Sequence, residues 1–371
     1  MNFDLSEEQK VVSGLASQVF ADLSSTDRVT QVEAGDGFDS QLWRALGEAG
    51  LLSLCLPESL DGSGMGMVEL ALMCESQGQN VSPVPLASSV VAAMTVAEHL
   101  SDVPAARAIL DDMAAGRSVL TAAITEVGVN DPLNPTVMAT EVPGGIRLNG
   151  EKPAVVALPL AQMVLVPAVR DGLVLIAAVD TSSDGVCIDE LSTSSHESQG
   201  HLRLDDCVVP DDLVIADPTA LDRLFQRSLV AMSAVQLGVG QGAVAHAAAH
   251  VSERHQFERP LSAFQAVSQR AADGYILNEV VRSTVLNAAW QLDHQTADSL
   301  TDVLTAAYWA CEGTQRVVLG AQHLHGGVGS DVSYPVHRYF LWGMQNAAIL
   351  GSASAHLARL GTHLADVSSA P

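Results

Sequence analysis

Three glycines in four positions, Gly326, Gly327 and Gly329, lie in the run Gln322-His-Leu-His-Gly-Gly-Val-Gly-Ser-Asp-Val-Ser-Tyr-Pro-Val-His-Arg338, between two apolar, Ala-rich segments. Glycine tolerates positive φ and has no side chain, so backbone N–H groups here can approach a bulky anion such as a diphosphate. The same triplet also serves as a plain bend between two helices. A second stretch, Arg254-His-Gln-Phe-Glu-Arg-Pro-Leu-Ser-Ala-Phe-Gln265, followed by Ala272-Asp273, supplies a guanidinium whose planar fork of donors suits phosphate. Outside its surroundings Arg254 also reads as a surface ion-pair residue. His323 and His325 stand two residues apart, but no acidic or Cys partner follows at ligand spacing, so they read as packed histidines and not as a metal site.

The elements that must position these residues follow from periodicity and punctuation. Ser6 with Gln9 reads as a capping box, and Val12, Leu15 and Val19 follow at helical spacing. Further helical patterns cover 42–51, 67–78 and 88–116. The loop 56–66 carries Gly62, Gly64 and Gly66 without a strand-to-helix unit around them, and reads as a connector. After Arg117 the chain turns to short Val/Ile/Leu runs separated by Pro143-Gly144-Gly145, Asn149-Gly150 and Asp171-Gly172, the last two being hairpin dipeptides. From about 216 long Ala-rich helical segments return, interrupted at Pro260 and at the bend from Gly326 to Pro335. The expected class is α+β: an N-terminal helical domain (1–116), a small antiparallel β domain (117–215) and a C-terminal helical bundle (216–371).

The chain has 371 residues, 48% of them hydrophobic and 16% charged, which is globular and enough for two or three packed units. Its formal charge of −25 excludes nucleic acid and anionic membrane as partners, since both call for a basic face. Any anionic ligand must find one of few arginines, so Arg223, Arg227, Arg254, Arg259 and Arg338 draw interest. The 5 cysteines show no Cys-x-x-Cys spacing and fit reduced thiols. The acidic start, Met1-Asn-Phe-Asp-Leu-Ser-Glu-Glu-Gln9, and the lack of an uninterrupted apolar run near membrane-spanning length predict a soluble, cytoplasmic protein.

Arg-x-Gln-Phe, then Pro, Phe-Gln and Ala-Asp, followed by His-Gly-Gly-x-Gly and Tyr-Pro-x-x-Arg, resembles the C-terminal domain of the acyl-CoA dehydrogenase family. The helical–β–helical order, and His201-Leu-Arg-Leu-Asp-Asp-Cys-Val-Val-Pro210 as an exit strand, extend the resemblance over the whole chain. The family desaturates acyl-CoA thioesters: a glutamate takes the α-proton and the flavin of FAD accepts the β-hydride. The two positions that carry the glutamate in family members match Leu350, before Gly351, and Ser228, 26 residues before Arg254. Neither side chain is a base, and the resemblance leaves no catalytic residue on this chain. The flavin-ring segment is also altered: Ile124-Thr125-Glu126-Val-Gly is followed by Gly150-Glu151-Lys152-Pro153-Ala154-Val155-Val156, with Ala154 and Val156 where an aromatic plate and a threonine stand. The CoA-binding arginine of some members matches Leu229, with Arg227 close by.

By contrast, the residues that the family extends to a neighbouring subunit's FAD are present. The resemblance implies that Arg254, Gln256, Phe257, Gln265, His323, Gly326 and Gly327 hold the ADP end of that cofactor. Glu258 stands in place of the usual glycine, and Leu341-Trp342 in place of Arg-Asp. The pattern resembles the base-less chain of bacterial α2β2 acyl-CoA dehydrogenases that act on steroid side-chain CoA thioesters. It implies an enzyme active only as a complex, with FAD shared with a second family subunit that carries the glutamate. Two alternatives stay open: a self-sufficient homotetramer using Glu126 or Glu258, both otherwise expected to be solvated carboxylates, and a cofactor-free structural or regulatory partner.

Overall fold

The computed structural model describes residues 4–126, 131–296 and 298–369. Helices come first: α1 (Glu7–Leu23), α2 (Thr26–Glu33), α3 (Ser40–Glu48), α4 (Met67–Gln79), α5 (Leu86–His99) and α6 (Pro104–Ala114). Eight strands follow: β1 (Leu120–Ala122), β2 (Met138–Val142), β3 (Gly145–Val156), β4 (Met163–Arg170), β5 (Leu173–Asp180), β6 (Val186–Leu191), β7 (Gln199–Pro210) and β8 (Val214–Ile215). Then come α7 (Ala220–Glu253), a hairpin of β9 (His255–Gln256) and β10 (Arg259–Pro260), and the helices α8 (Gln265–Asp293), α9 (Ser299–His325), α10 (Val336–Leu350) and α11 (Ala353–Ser369). A helical N-terminal region, a central sheet and a C-terminal bundle make the α+β arrangement that the sequence predicts.

One compact unit comprises residues 31–65 and 83–228. Its sheet runs β6-β7-β3-β2-β4-β5-β8, with β1 beside β4. It is mixed: β1 pairs parallel to β4, and β2 meets β4 in parallel at Met138↔Val169, while the other ladders are antiparallel. Asp171-Gly172 forms the expected two-residue turn, both residues at positive φ (51° and 80°). Asn149-Gly150 does not. It lies inside β3 at a register shift, where Asn149 Nδ2 donates to Asp206 Oδ1 (3.2 Å) and Asn149 Oδ1 accepts from Asp206 N (2.9 Å). Those side-chain bonds make a bulge that the dipeptide alone reads as a hairpin. A second shift between Lys152 and Val155, with Ala154 at φ 49°, takes Pro153 out of a ladder it could not join. Trp43 Nε1 donates to Ser118 O (3.0 Å), and Leu120 N to Ser89 Oγ (2.9 Å), tying α3 and α5 to the sheet's first strand.

The other unit comprises residues 4–30, 66–82 and 229–371 as far as described. The Ser6–Gln9 capping box forms as read. The buried stripe of α1 is Val12, Ala16 and Phe20, whereas Leu15 is exposed, because the face is set by packing against α4. The helices α4 and α7 cross at backbone contact: a Cβ on Gly78 would lie 2.0 Å from Val235 O, and one on Gly238 2.0 Å from Glu75 O. Small residues are obligatory there. The start of α4 is capped from α8, Asp293 accepting from Met67 N (2.6 Å) and Val68 N (3.1 Å). Among the described residues α7 is long and apolar enough to cross a membrane, but 72% of its most apolar window is buried, as in a core helix.

Candidate functional site

The hairpin after α7 has a two-residue turn, Phe257-Glu258, with Gln256 opposite Arg259. Both turn residues adopt positive φ (52° and 65°), the twist that a tight hairpin demands and that glycine supplies more cheaply. Leu261 N donates to Arg254 O (2.8 Å) and closes the hairpin at its base. Phe264, the residue before α8, gathers the segment: the Arg259 guanidinium lies 4.0 Å over its ring, and Phe257 meets it edge-on at 6.2 Å. Gln265 then begins α8.

The glycine run ends α9. Gly326 caps it at φ 62°, ψ −138°, a conformation that side chains do not tolerate. Gly329 is buried, and a Cβ there would lie 2.8 Å from Gln322 O. Gly327 differs: a Cβ on it would meet nothing within 4 Å, and its φ is not positive. Among the described residues nothing demands glycine at 327, and its backbone lies bare at the surface. This fits the close approach of an anion.

His250 and His325 join the two segments. Their rings stack at 4.5 Å, and Arg254 N donates to His250 O (2.9 Å), so the turn of α7 that presents Arg254 packs on the end of α9 that presents Gly326. Tyr334 completes the cluster, 5.2 Å from the His325 ring. His325 Nδ1 bonds the Ala321 carbonyl (2.8 Å), leaving a buried Nε2 without a partner. Burial holds both imidazoles below the usual histidine range, with Arg254 adding to the effect on His250. The sequence reading misses His250, although its place four residues before Arg254 puts both on one helical face.

All seven predicted cofactor residues, Arg254, Gln256, Phe257, Gln265, His323, Gly326 and Gly327, are exposed, Phe257 by 86%. Of the five arginines of interest, three are engaged elsewhere. Arg223 pairs with Asp217 (2.7 Å), Arg227 with Glu98 (2.6 Å), and buried Arg338 donates to Thr30 Oγ1 (2.9 Å). Arg254 and Arg259 have no carboxylate partner among the described residues, and neither has Arg270 one turn into α8. In a chain of charge −25, Arg254, Arg259 and Arg270 thus put three cations without a carboxylate partner on one stretch, although Arg44 and Arg170 elsewhere also lack one among the described residues.

The base positions are closed. Leu350 ends α10 with 5% exposure, and the Ser228 hydroxyl donates to Leu224 O (2.7 Å) in its own helix. Trp342, in place of a polar residue, is core. Glu126 is not the solvated carboxylate expected: it is buried, ion-paired with fully buried Lys152, and accepts from Thr136 N (3.1 Å) and Thr136 Oγ1 (2.5 Å). Burial presses the Lys152 ammonium below the lysine range while Glu126 pulls it back. Three donors thus hold the Glu126 carboxylate in place. Val127 and Gly128, which complete that loop, lie outside the described residues. Ala154 and Val156 offer no ring-stacking plate or hydroxyl at those two positions.

Comparison with known proteins identifies the family. Residues 6–117 fit the acyl-CoA dehydrogenase N-terminal domain and residues 219–364 the acyl-CoA dehydrogenase C-terminal domain. Acyl-CoA dehydrogenase FadE27 of Mycobacterium tuberculosis is 33% identical over 374 residues, covering 99% of each chain. Among solved structures, the Tcur3481-Tcur3483 steroid ACAD superposes with a TM-score of 0.93 at 39% identity, covering 98% of this chain and 99% of that one. The ChsE4-ChsE5 complex from Mycobacterium tuberculosis does so at 0.92 and 33%, covering 100% of both. With both terminal domains matched and a relative this similar along its full length, the chain belongs to the acyl-CoA dehydrogenase family.

Proposed function

We propose that this chain is the base-less subunit of a heteromeric, FAD-dependent acyl-CoA dehydrogenase that forms 2,3-enoyl-CoA. In this reading Arg254 pairs with the diphosphate through its donor fork, and the bare backbone at Gly326 and Gly327 approaches it. Gln256, Gln265 and His323 bond the adenosine, and Phe257 packs on it. FAD, when bound, supplies the hydride acceptor, and the second subunit supplies the glutamate and the ring site. The observation that carries the reading is an asymmetry within the chain: the ADP-end residues are exposed and unpaired, while both base positions are closed. The name of the Tcur3481-Tcur3483 steroid ACAD supports a CoA thioester of a steroid side chain as substrate, and the paired names in that structure and in the ChsE4-ChsE5 complex support an unlike subunit as partner.

The test is visible absorbance of the purified chain, alone and co-expressed with a family member that carries the glutamate. Expected is a colourless chain alone and a yellow complex at one FAD per pair of unlike chains. A yellow chain that reduces dye with acyl-CoA by itself overturns the proposal.

A further inference from the structure

The two segments proposed to hold the diphosphate meet at a pair of imidazoles. His250 lies in the last turn of α7 and His325 is the last residue of α9, and their near-parallel rings, 24° apart in plane, stack at 4.5 Å. Arg254 follows the first by four residues, and Gly326 follows the second directly. The His325 ring is fixed. Its Nδ1–H donates to Ala321 O (2.8 Å), which leaves a bare Nε2 that is buried and has no partner. His250 is half-buried, so solvent protons reach it first. Tyr334 leans on both rings, 5.2 Å from His325 and edge-on at 6.3 Å from His250. His246, one turn back along α7, packs on Tyr339 of α10 at 5.1 Å. The charged neighbours of His250 are Glu253 and Arg254, which act on it in opposite directions. His337, the other titratable group there, bonds the Tyr334 carbonyl (2.6 Å). The histidines that do pair with a carboxylate are others, His99, His201 and His363.

We infer that this stack is a proton-operated latch on the cofactor site, closed while both rings are neutral and opened when acid charges them, so that the bound cofactor is released. The inference rests on the reading above for its ligand alone. A proton on His325 Nε2 makes a buried donor without an acceptor, and a further charge on His250 sets two cations at ring contact. Both burdens are relieved when the end of α7 moves off the end of α9. That motion parts Arg254 from the bare backbone of Gly326 and Gly327, which the reading above sets on the same diphosphate. The sign follows from burial. Docking holds both imidazoles below the ordinary value of about 6.5, so the latch is complete above that pH and weakens as pH falls below it. A ring that stays neutral while docked and titrates normally once free favours opening by about tenfold between about pH 7.5 and about pH 5.5, and two such rings by about 100-fold.

The experiment times FAD release from the complex with the glutamate-bearing family member across that pH range. It compares the wild type with His250→Phe, which keeps a ring against His325 and cannot titrate, and with the double variant that adds His325→Phe. In parallel, hydrogen exchange of the full chain alone is followed over residues 250–256 and 322–330, as protection relative to the unfolded chain at each pH. Expected in the wild type is release that quickens by about tenfold to about 100-fold, with protection falling by a like factor. His250→Phe is expected to show at most about a third of that factor, and the double variant less than about twofold. Release as steep in His250→Phe as in the wild type overturns the latch. So does release that slows in acid, which would make His250 a further cation for the diphosphate. Should a variant fail to fold, the wild-type exchange decides, and protection that stays level below about pH 6.5 overturns the latch by itself. A complex that forms without FAD, from a chain whose 250–256 amides still open in acid, rejects the shared-cofactor reading and keeps the latch.

Discussion

At the scale of single residues, Glu258 is where this chain departs most visibly from what its site requires. It occupies the second position of a tight turn at φ 65°, where a side chain costs about 1 kcal/mol relative to glycine. It also places a carboxylate four residues from Arg254, beside the proposed diphosphate. Glu258→Gly therefore relieves both burdens. Hydrogen exchange at the hairpin amides is expected to slow about fivefold, the equivalent of about 1 kcal/mol, and the heteromeric complex should release FAD more slowly. Unchanged exchange would mean that the turn is not strained. Faster FAD release would mean that Glu258 meets a cation of the partner and belongs to the interface instead.

At the scale of elements, one carboxylate fixes a helix by a contact far apart in sequence, and one buried histidine makes a helix sensitive to acid. Asp293 closes the N-terminus of α4 with two backbone bonds, and a Cβ on Gly66 would strike its carboxylate at 2.4 Å. Asp293→Ala is expected to cost about 1–2 kcal/mol in urea unfolding, with Asp293→Asn recovering part of the loss. His356 on α11 is fully buried near the Leu350 backbone, and burial pushes it down to about 4, with Arg359 contributing. A folded value below the unfolded value of about 6.5 means that stability is complete above that pH and lost as pH falls toward 4, by about 3 kcal/mol. His356→Leu should flatten the acid limb of melting temperature against pH. An unchanged limb would assign it to His246, His250 and His325, which burial also holds low. These groups also mark the limit of reading a sequence. The Ser6–Gln9 box and the Asp171-Gly172 turn were legible because their partners lie within a few residues. The seven proposed cofactor residues come from motifs, not from any local structural signal. The Asp293 cap spans 226 positions, Asn149-Gly150 was redirected by a strand partner at Asp206, and Glu126 was buried by Lys152. Each is decided by tertiary neighbours that local spacing does not encode.

At the scale of the whole molecule, the charge of −25 is a field that every local interaction works within. With 43 Asp+Glu against 18 Lys+Arg, many carboxylates have no cation available, and their mutual repulsion acts through solvent over roughly 10 Å at 0.1 M salt. Added salt shortens that range. It weakens exposed pairs such as Arg117–Asp112 too, but each of those contributes less than about 1 kcal/mol, and the repulsion among the excess carboxylates outweighs them. The melting temperature of the isolated chain should therefore rise as sodium chloride goes from about 10 to about 300 mM, by about 2 °C for each kcal/mol of repulsion removed. The complex should respond differently, because the proposed pairing of Arg254 with a diphosphate is a local attraction that salt weakens: FAD release from the complex is expected to quicken over the same range in which the chain alone becomes more stable. Parallel slopes, with cofactor retention and stability rising together, would show that repulsion governs both and that Arg254 contributes little. Opposite slopes would separate the local site from the field around it.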